Sequence, residues 1–204
     1  MLDSWARSKI DPPLNRIGAV LARRGVHANH LSLAGAGAGL CAGFAIASGQ
    51  FLTGLAFIIL SRLLDGLDGP VARAGKGGTD FGGYLDIACD YIFYAAIPLA
   101  FGWSDEANHL PALALLASFI LSGTSFLAYA VIAEKRGLTT SRQGTKSFYY
   151  MAGLAEGSET IAAFILFCLF PAWFPVLAYA FAALCALTMV GRVLMARIVF
   201  SDTA

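Results

Sequence analysis

"LLDGLDGPVARAGKGGTDFGGYLDIACD", residues 63–90, sets four aspartates, Asp65, Asp68, Asp86 and Asp90, beside or inside stretches of membrane-spanning character. A carboxylate in hydrocarbon is costly, so acids in such segments face an interior or a cavity. Asp65 and Asp68 are three residues apart and Asp86 and Asp90 four, so each pair shares one helix face. The glycine-rich "GPVARAGKGGTDFGG" between the pairs predicts a short turn that makes the two flanking helices antiparallel neighbours. Four carboxylates brought together there cannot all stay ionised without cations. Oxygen-only ligands favour hard divalent ions, so two Mg²⁺ or Mn²⁺ ions suit the set better than zinc; no His or Cys joins it. Two such ions beside a basic, glycine-rich turn match a diphosphate. Gly69 allows close backbone approach, Arg73 can fork onto phosphate, and one acid can serve as general base for a hydroxyl. The competing structural explanation is that the acids pair with Arg62 or Arg73, or cap helices. Asp80 falls in the turn and is expected to be solvated or a local cap.

The rest of the chain supplies the membrane. Of 204 residues, 58% are hydrophobic and only 13% charged, well below the roughly 25% of a soluble domain, and the mean hydropathy is +0.69. Six apolar runs have the length needed to cross a bilayer, at about 31–49, 51–72, 84–103, 110–133, 147–170 and 173–198. All are expected to be helices, because backbone polar groups in lipid must be paired within the segment. The expected fold is therefore all-α, a six-span bundle over residues 31–200 preceded by an amphipathic juxtamembrane segment over 1–30. That segment mixes Leu2, Trp5, Ile10, Leu14, Ile17, Val20 and Leu21 with five bases. This suits a helix on an anionic membrane surface, bent or broken at Pro12 and Pro13; a disordered basic tail is the alternative. It lacks the apolar centre of a signal peptide. Arg73, Lys76, Lys135, Arg136, Arg142, Lys146, Arg192 and Arg197 all fall on the same side of a six-span arrangement as the basic N-terminal segment, so both termini are expected in the cytoplasm.

With these residues in view, the chain resembles the CDP-alcohol phosphotransferases, also called CDP-alcohol phosphatidyltransferases. Their signature D-x2-D-G-x2-A-R-x8-G-x3-D-x3-D is met at Asp65, Asp68, Gly69, Ala72, Arg73, Gly82, Asp86 and Asp90, eight positions across 26 residues. The resemblance implies that Asp65 and Asp86 bridge two metal ions, that Asp68 holds one, and that Asp90 contacts the other and acts as the base. It also implies nucleotide contacts from Gly69, Arg73, Thr79 and Gly82. An upstream Pro-Asn-x-x-Thr of the family reads "ANHLS" here, with Ala28 for Pro and Ser32 for Thr, so Asn29 and Ser32 are further contacts. The implied substrates are CDP-diacylglycerol and a small alcohol, with CMP released in phospholipid biosynthesis. A homodimer in the bacterial inner membrane is also implied, and nucleic acid is not a partner. The acceptor is left open among glycerol phosphate, inositol phosphate, serine and other polyols. Lys135, Arg142, Lys146 and Arg192 are candidates to bind it, although positive-inside bias also explains bases there. Glu156 and Glu159, three apart and so expected on one helix face within an apolar run, are placed near the acceptor or paired with Lys146 or Arg192.

Two other features have plainer explanations. Gly35, Gly39 and Gly43 make a small-residue face suited to internal packing or to a dimer. Cys41, Cys89, Cys168 and Cys185 have no metal-ligand spacing and are expected to fill space. The rival functions are a small transporter or cation-conducting protein and a CDP-lipid-binding homologue without catalysis. A transporter accounts for buried acids but not for the Gly-Arg turn.

Overall fold

The computed structural model describes residues 2–75, 77–138 and 155–201, with side chains from residue 11 onward. Among these residues the ordered elements are helices: α1 (Leu2–Arg23), α2 (Ala28–Ala47), α3 (Phe51–Ala74), α4 (Asp80–Ser104), α5 (His109–Lys135), α6 (Gly157–Leu169) and α7 (Phe174–Ser201). Short 3₁₀ turns at Glu106–Asn108 and Pro171–Trp173 lead into α5 and α7. Four helices are long and apolar enough to cross a membrane: α2, α4, and α5 and α7 with their leading turns. α3 has 24 residues, but Arg62, Asp65, Asp68 and Arg73 interrupt its second half. α6 has 13.

Lipid-facing character shows in the side chains left outside. Phe44 is 79% exposed and Trp103 83%, and Leu52, Leu110, Ile120 and Val131 also point outward. In water such a surface would drive association; around a bilayer-spanning bundle it meets acyl chains. Helix association in lipid then rests on close packing, and α2 achieves it with glycine. A Cβ at Gly35 would press on the Ser61 carbonyl of α3 at 3.2 Å, and one at Gly39 on the Phe93 ring of α4 at 2.9 Å. Gly43 faces the Ala96 carbonyl of α4 at 3.4 Å. The glycine face is thus spent inside the subunit, holding α2 against α3 and α4.

A second layer packs α4, α5, α6 and α7 around phenylalanines. Phe101 stacks on Phe174 with ring centroids 4.5 Å apart, and Phe167 meets Phe174 edge-on at 5.1 Å. Phe93 and Phe164, both fully buried, join this cluster to the acid-bearing half of α4. Cys89, Cys168 and Cys185 are buried free thiols in these helices, whereas Cys41 is exposed.

Two expectations change. Pro12 and Pro13 do not end α1, which runs unbroken from Leu2 to Arg23. Both rings are exposed and their fixed φ is itself helical, so the pair removes two N–H donors without stopping the helix. The run at 147–170 is not one continuous helix: Ala155 and Glu156 are non-helical, α6 begins at Gly157, and the earlier part lies outside the described residues. Trp103 and Trp173 are exposed near helix ends, as interfacial anchors would be.

α1 closes on Gly25 at φ +81°, with the Gly25 and Val26 amides donating to the carbonyls of Ala22 and Leu21. This left-handed cap, easy only for glycine, turns the chain directly into α2. Gly18 then seats α1 on α3, where a Cβ would run into Pro70.

Candidate active site between two cavities

α3 and α4 position the acids. Asp65 and Asp68 lie on the second half of α3 and Asp86 and Asp90 on the first half of α4. Both helices pack mainly on α2, so the acid-bearing ends converge beside α2 and not along the close-packed antiparallel pair that the glycine-rich turn predicted. The start of α4 is fixed by Thr79, not Asp80: the Thr79 hydroxyl accepts from the Gly82 amide at 3.0 Å as N-cap. Asp80 is exposed in the first turn, where its charge complements the helix dipole.

Asp65, Asp68 and Asp86 each offer a carboxylate oxygen, and these oxygens all lie within 4.8 Å of one another. All three are half-buried. Such an oxygen-only set suits a hard divalent cation. Asp90 is not in this trio. Its Oδ1 accepts from Arg62 Nη1 at 2.6 Å, and the same nitrogen reaches Asp65 Oδ2 at 3.3 Å. The anticipated Arg62 pairing and the clustered acids are therefore both present. Ser32 Oγ donates to Asp68 Oδ2 at 2.6 Å, so α2 braces the trio from the side.

Two cavities flank the acids. The first, about 740 Å³, is walled by the end of α1, the start of α2 and the α3–α4 turn. Asn29, Ser32, Gly69, Arg73, Thr79 and Gly82, which the family resemblance implies as nucleotide contacts, all line it with Asp68 and Asp86. A Cβ on Gly82 would meet Thr79 Oγ1 at 3.1 Å and Asn29 Oδ1 at 3.2 Å, so glycine lets three elements converge. Arg73 is exposed, lies across Gly69 and donates to Asn15 Oδ1 on α1 at 3.0 Å. His27 and His30 also line this cavity, their rings 5.5 Å apart.

The second cavity, about 400 Å³, lies between α4, α5, α6 and α7. Asp90 lines it, together with Glu156 and Arg192. Arg192 Nη1 donates to the Ser122 carbonyl at 3.0 Å and hydroxyl at 3.1 Å. Tyr91 and Tyr94 project from α4 into the same space. Tyr94 is four residues after Asp90, a same-face signal visible in the sequence but not taken up. Gly123 is where the Tyr91 hydroxyl rests, in the place a Cβ would need.

The other candidate acceptor residues are placed differently. Lys135 is exposed at the end of α5 and is not among the residues lining this cavity. Arg142 and Lys146 lie outside the described residues. Glu156 and Glu159 do not share a helix face: Glu156 is the N-cap of α6, and Glu159 reaches back to its amide at 3.3 Å, a reciprocal capping box. The spacing in "EGSE" carries that signal. Just before it, the Ala155 amide donates to Thr188 Oγ1 on α7 at 3.0 Å, which pins Glu156 at the cavity.

The model of the CDP-alcohol phosphatidyltransferase family matches residues 26–201. Inner membrane protein YnjF of Escherichia coli (strain K12) is 45% identical over 194 residues, covering 95% of this chain and 94% of that one. Archaetidylinositol phosphate synthase of Pyrococcus horikoshii is 37% identical over 95 residues, 46% of this chain and 50% of its own. Crystal structures of Mycobacterium tuberculosis phosphatidylinositol phosphate synthase share the fold. The complex with manganese and citrate has a TM-score of 0.69 at 22% identity, covering 89% of this chain and 88% of that one. The form with CDP-DAG bound has a TM-score of 0.66 at 21% identity, covering 90% and 93%.

Proposed function

We infer the reaction from the family: this chain belongs to the CDP-alcohol phosphatidyltransferases, membrane-embedded transferase enzymes. It transfers the phosphatidyl group of CDP-diacylglycerol to a small alcohol and releases CMP. The observation that carries this is the placement of the acids, three converging beside the first cavity and Asp90 lining the second. The manganese and the CDP-DAG held by the mycobacterial neighbour support the same assignment.

The CDP-lipid headgroup occupies the first cavity, where Asn29, Ser32, Thr79 and Gly82 line the wall and Arg73 pairs with diphosphate oxygens. Asp65, Asp68 and Asp86 hold a divalent cation, Mg²⁺ or Mn²⁺, and Asp90 contributes to a second. When bound, these ions supply positive charge to the diphosphate and to the departing CMP. The acceptor occupies the second cavity beside Glu156 and Arg192. Asp90 takes the proton of its hydroxyl, and the oxygen attacks the phosphorus on the lipid side. The new bond is oxygen to phosphorus, and the broken bond joins that phosphorus to the oxygen CMP carries away.

In this proposal α3 and α6 complete six spans, residues 1–30 lie on the membrane surface, and both termini and the site face the cytoplasm. A homodimer belongs to it as well, with its contact away from the glycine face of α2. The same acids would suit a cation path, but their position beside a cavity lined by Gly69, Arg73 and Thr79 favours the transferase.

The test is CMP release by purified protein in detergent, given CDP-diacylglycerol, Mg²⁺ or Mn²⁺, and a panel of glycerol phosphate, inositol phosphate, inositol, serine and glycerol. Acceptor-dependent CMP that vanishes with chelator is expected. Asp90→Asn should abolish turnover while nucleotide binding persists; full activity in that variant removes Asp90 as the base. No CMP and no nucleotide binding in the wild type would return the chain to the transporter reading.

A further inference from the structure

Residue 62 lies three positions before the first aspartate of the eight-position motif, and the motif gives it no part. Yet Arg62 makes the shortest ion pair among the described residues, to Asp90. Its side chain is only 11% exposed. Nη1 serves Asp90 and Asp65, and Nη2 donates to Ser61 Oγ at 3.1 Å. Ser61 is fully buried, and its hydroxyl donates to the Gly35 carbonyl at 2.8 Å. The guanidinium carbon lies 3.8 Å from the centroid of the Phe93 ring, also fully buried. The cation is therefore fixed from two sides, by the ring below it and by a hydroxyl locked to α2. Lysine, a point charge without a planar fork, cannot make these contacts together.

We propose that Arg62 is a positioning residue of the transfer: it is the resident cation of the acid cluster and holds the Asp90 carboxylate aimed into the second cavity. It ties Asp90 of α4 to Asp65 of α3, and so sets the acid beside the acceptor in register with the acids beside the donor. Asp90 Oδ1 is engaged by Arg62, which fixes the direction of Oδ2, the oxygen that faces the acceptor hydroxyl and the second cation. A fixed positive charge 3.3 Å from Asp65 also opposes any divalent ion bound by the trio. Arg62 thus trades some metal affinity for alignment of the base.

This role rests on the reaction proposed above, so the test pairs turnover with metal binding measured without substrate. Arg62→Met and Arg62→Lys are purified in detergent and titrated with Mn²⁺, free ion being followed by electron paramagnetic resonance. Arg62→Met should bind Mn²⁺ tighter by about threefold or more, because a repelling charge is gone. Its kcat should fall about 30-fold or more while KM for CDP-diacylglycerol moves less than about threefold, since the lost alignment lies on the acceptor side. Arg62→Lys should keep wild-type Mn²⁺ affinity and still lose about tenfold in kcat.

A merely structural strut would loosen the acids, so weaker Mn²⁺ binding with a lower thermal midpoint overturns the proposal. So does a kcat near wild type in either variant. If Arg62→Met does not fold, Arg62→Lys decides by its kcat. If the wild type releases no CMP, the transferase reading fails, and the direction of the Mn²⁺ change still decides whether Arg62 acts as the resident cation.

Discussion

Ser32→Ala removes one oxygen and separates two roles for the same residue. In the family pattern Ser32 stands for a nucleotide contact, but the structure gives its hydroxyl to Asp68 at 2.6 Å. Ser32 is 3% exposed, and alanine leaves Asp68 Oδ2 without that donor. A hydrogen bond to a charged group contributes about 1.5–3 kcal/mol. At about 1.4 kcal/mol per tenfold, that is about 10- to 100-fold in affinity for an ion bound through Asp68, the usual cost of losing a partner that orients a ligand. The assay is Mn²⁺ titration of the protein without nucleotide, followed by CDP binding at saturating metal. Ser32→Ala should weaken Mn²⁺ by that factor, and Ser32→Thr, which restores the hydroxyl, should recover most of it. If Mn²⁺ affinity in Ser32→Ala stays within about twofold of wild type while CDP binding falls, the hydroxyl serves the nucleotide and the orienting role is refuted.

Two further changes test a glycine at the second cavity and the cap of α4. Gly123→Ala places a methyl where the Tyr91 hydroxyl rests. It should displace Tyr91, cost about 1–3 kcal/mol of stability by overpacking, and raise KM for the acceptor but not for the CDP-lipid; thermal unfolding and initial rates check both. Thr79→Ala removes the N-cap of α4 and should cost about 1 kcal/mol, seen as a lower thermal midpoint in detergent. Thr79→Ser should restore that midpoint, and a midpoint unchanged in Thr79→Ala would show that the cap does not hold α4.

Much of the fold was legible because a bilayer leaves few options. Apolar runs marked α2, α4, α5 and α7 to within a few residues, since every buried amide in lipid needs a helical partner. Pro12 and Pro13 do not break α1, because the breaker rule meets a surface on which the rings are exposed. The acids were found by spacing alone, but spacing could not separate Asp90 from the trio. That depends on where Arg62, from the neighbouring helix, places its guanidinium. Glu156 and Glu159 misled for a related reason: three-residue spacing fits one helix face and a capping box equally well, and the start of α6 decides between them. The lining of the second cavity by Tyr91, Ser122 and Arg192 comes from three helices and could not be read along the chain.

Among the described residues the two cavities share no lining residue, although Asp86 and Asp90, which open onto different ones, are a single helical turn apart. Such a partition makes the molecule modular for evolution. On the proposed assignment of donor and acceptor, a new acceptor is adopted through changes on α5, α6 and α7 while the wall built from α1, α2 and the α3–α4 turn is left alone. A lineage can therefore diversify its headgroups while keeping one activated lipid.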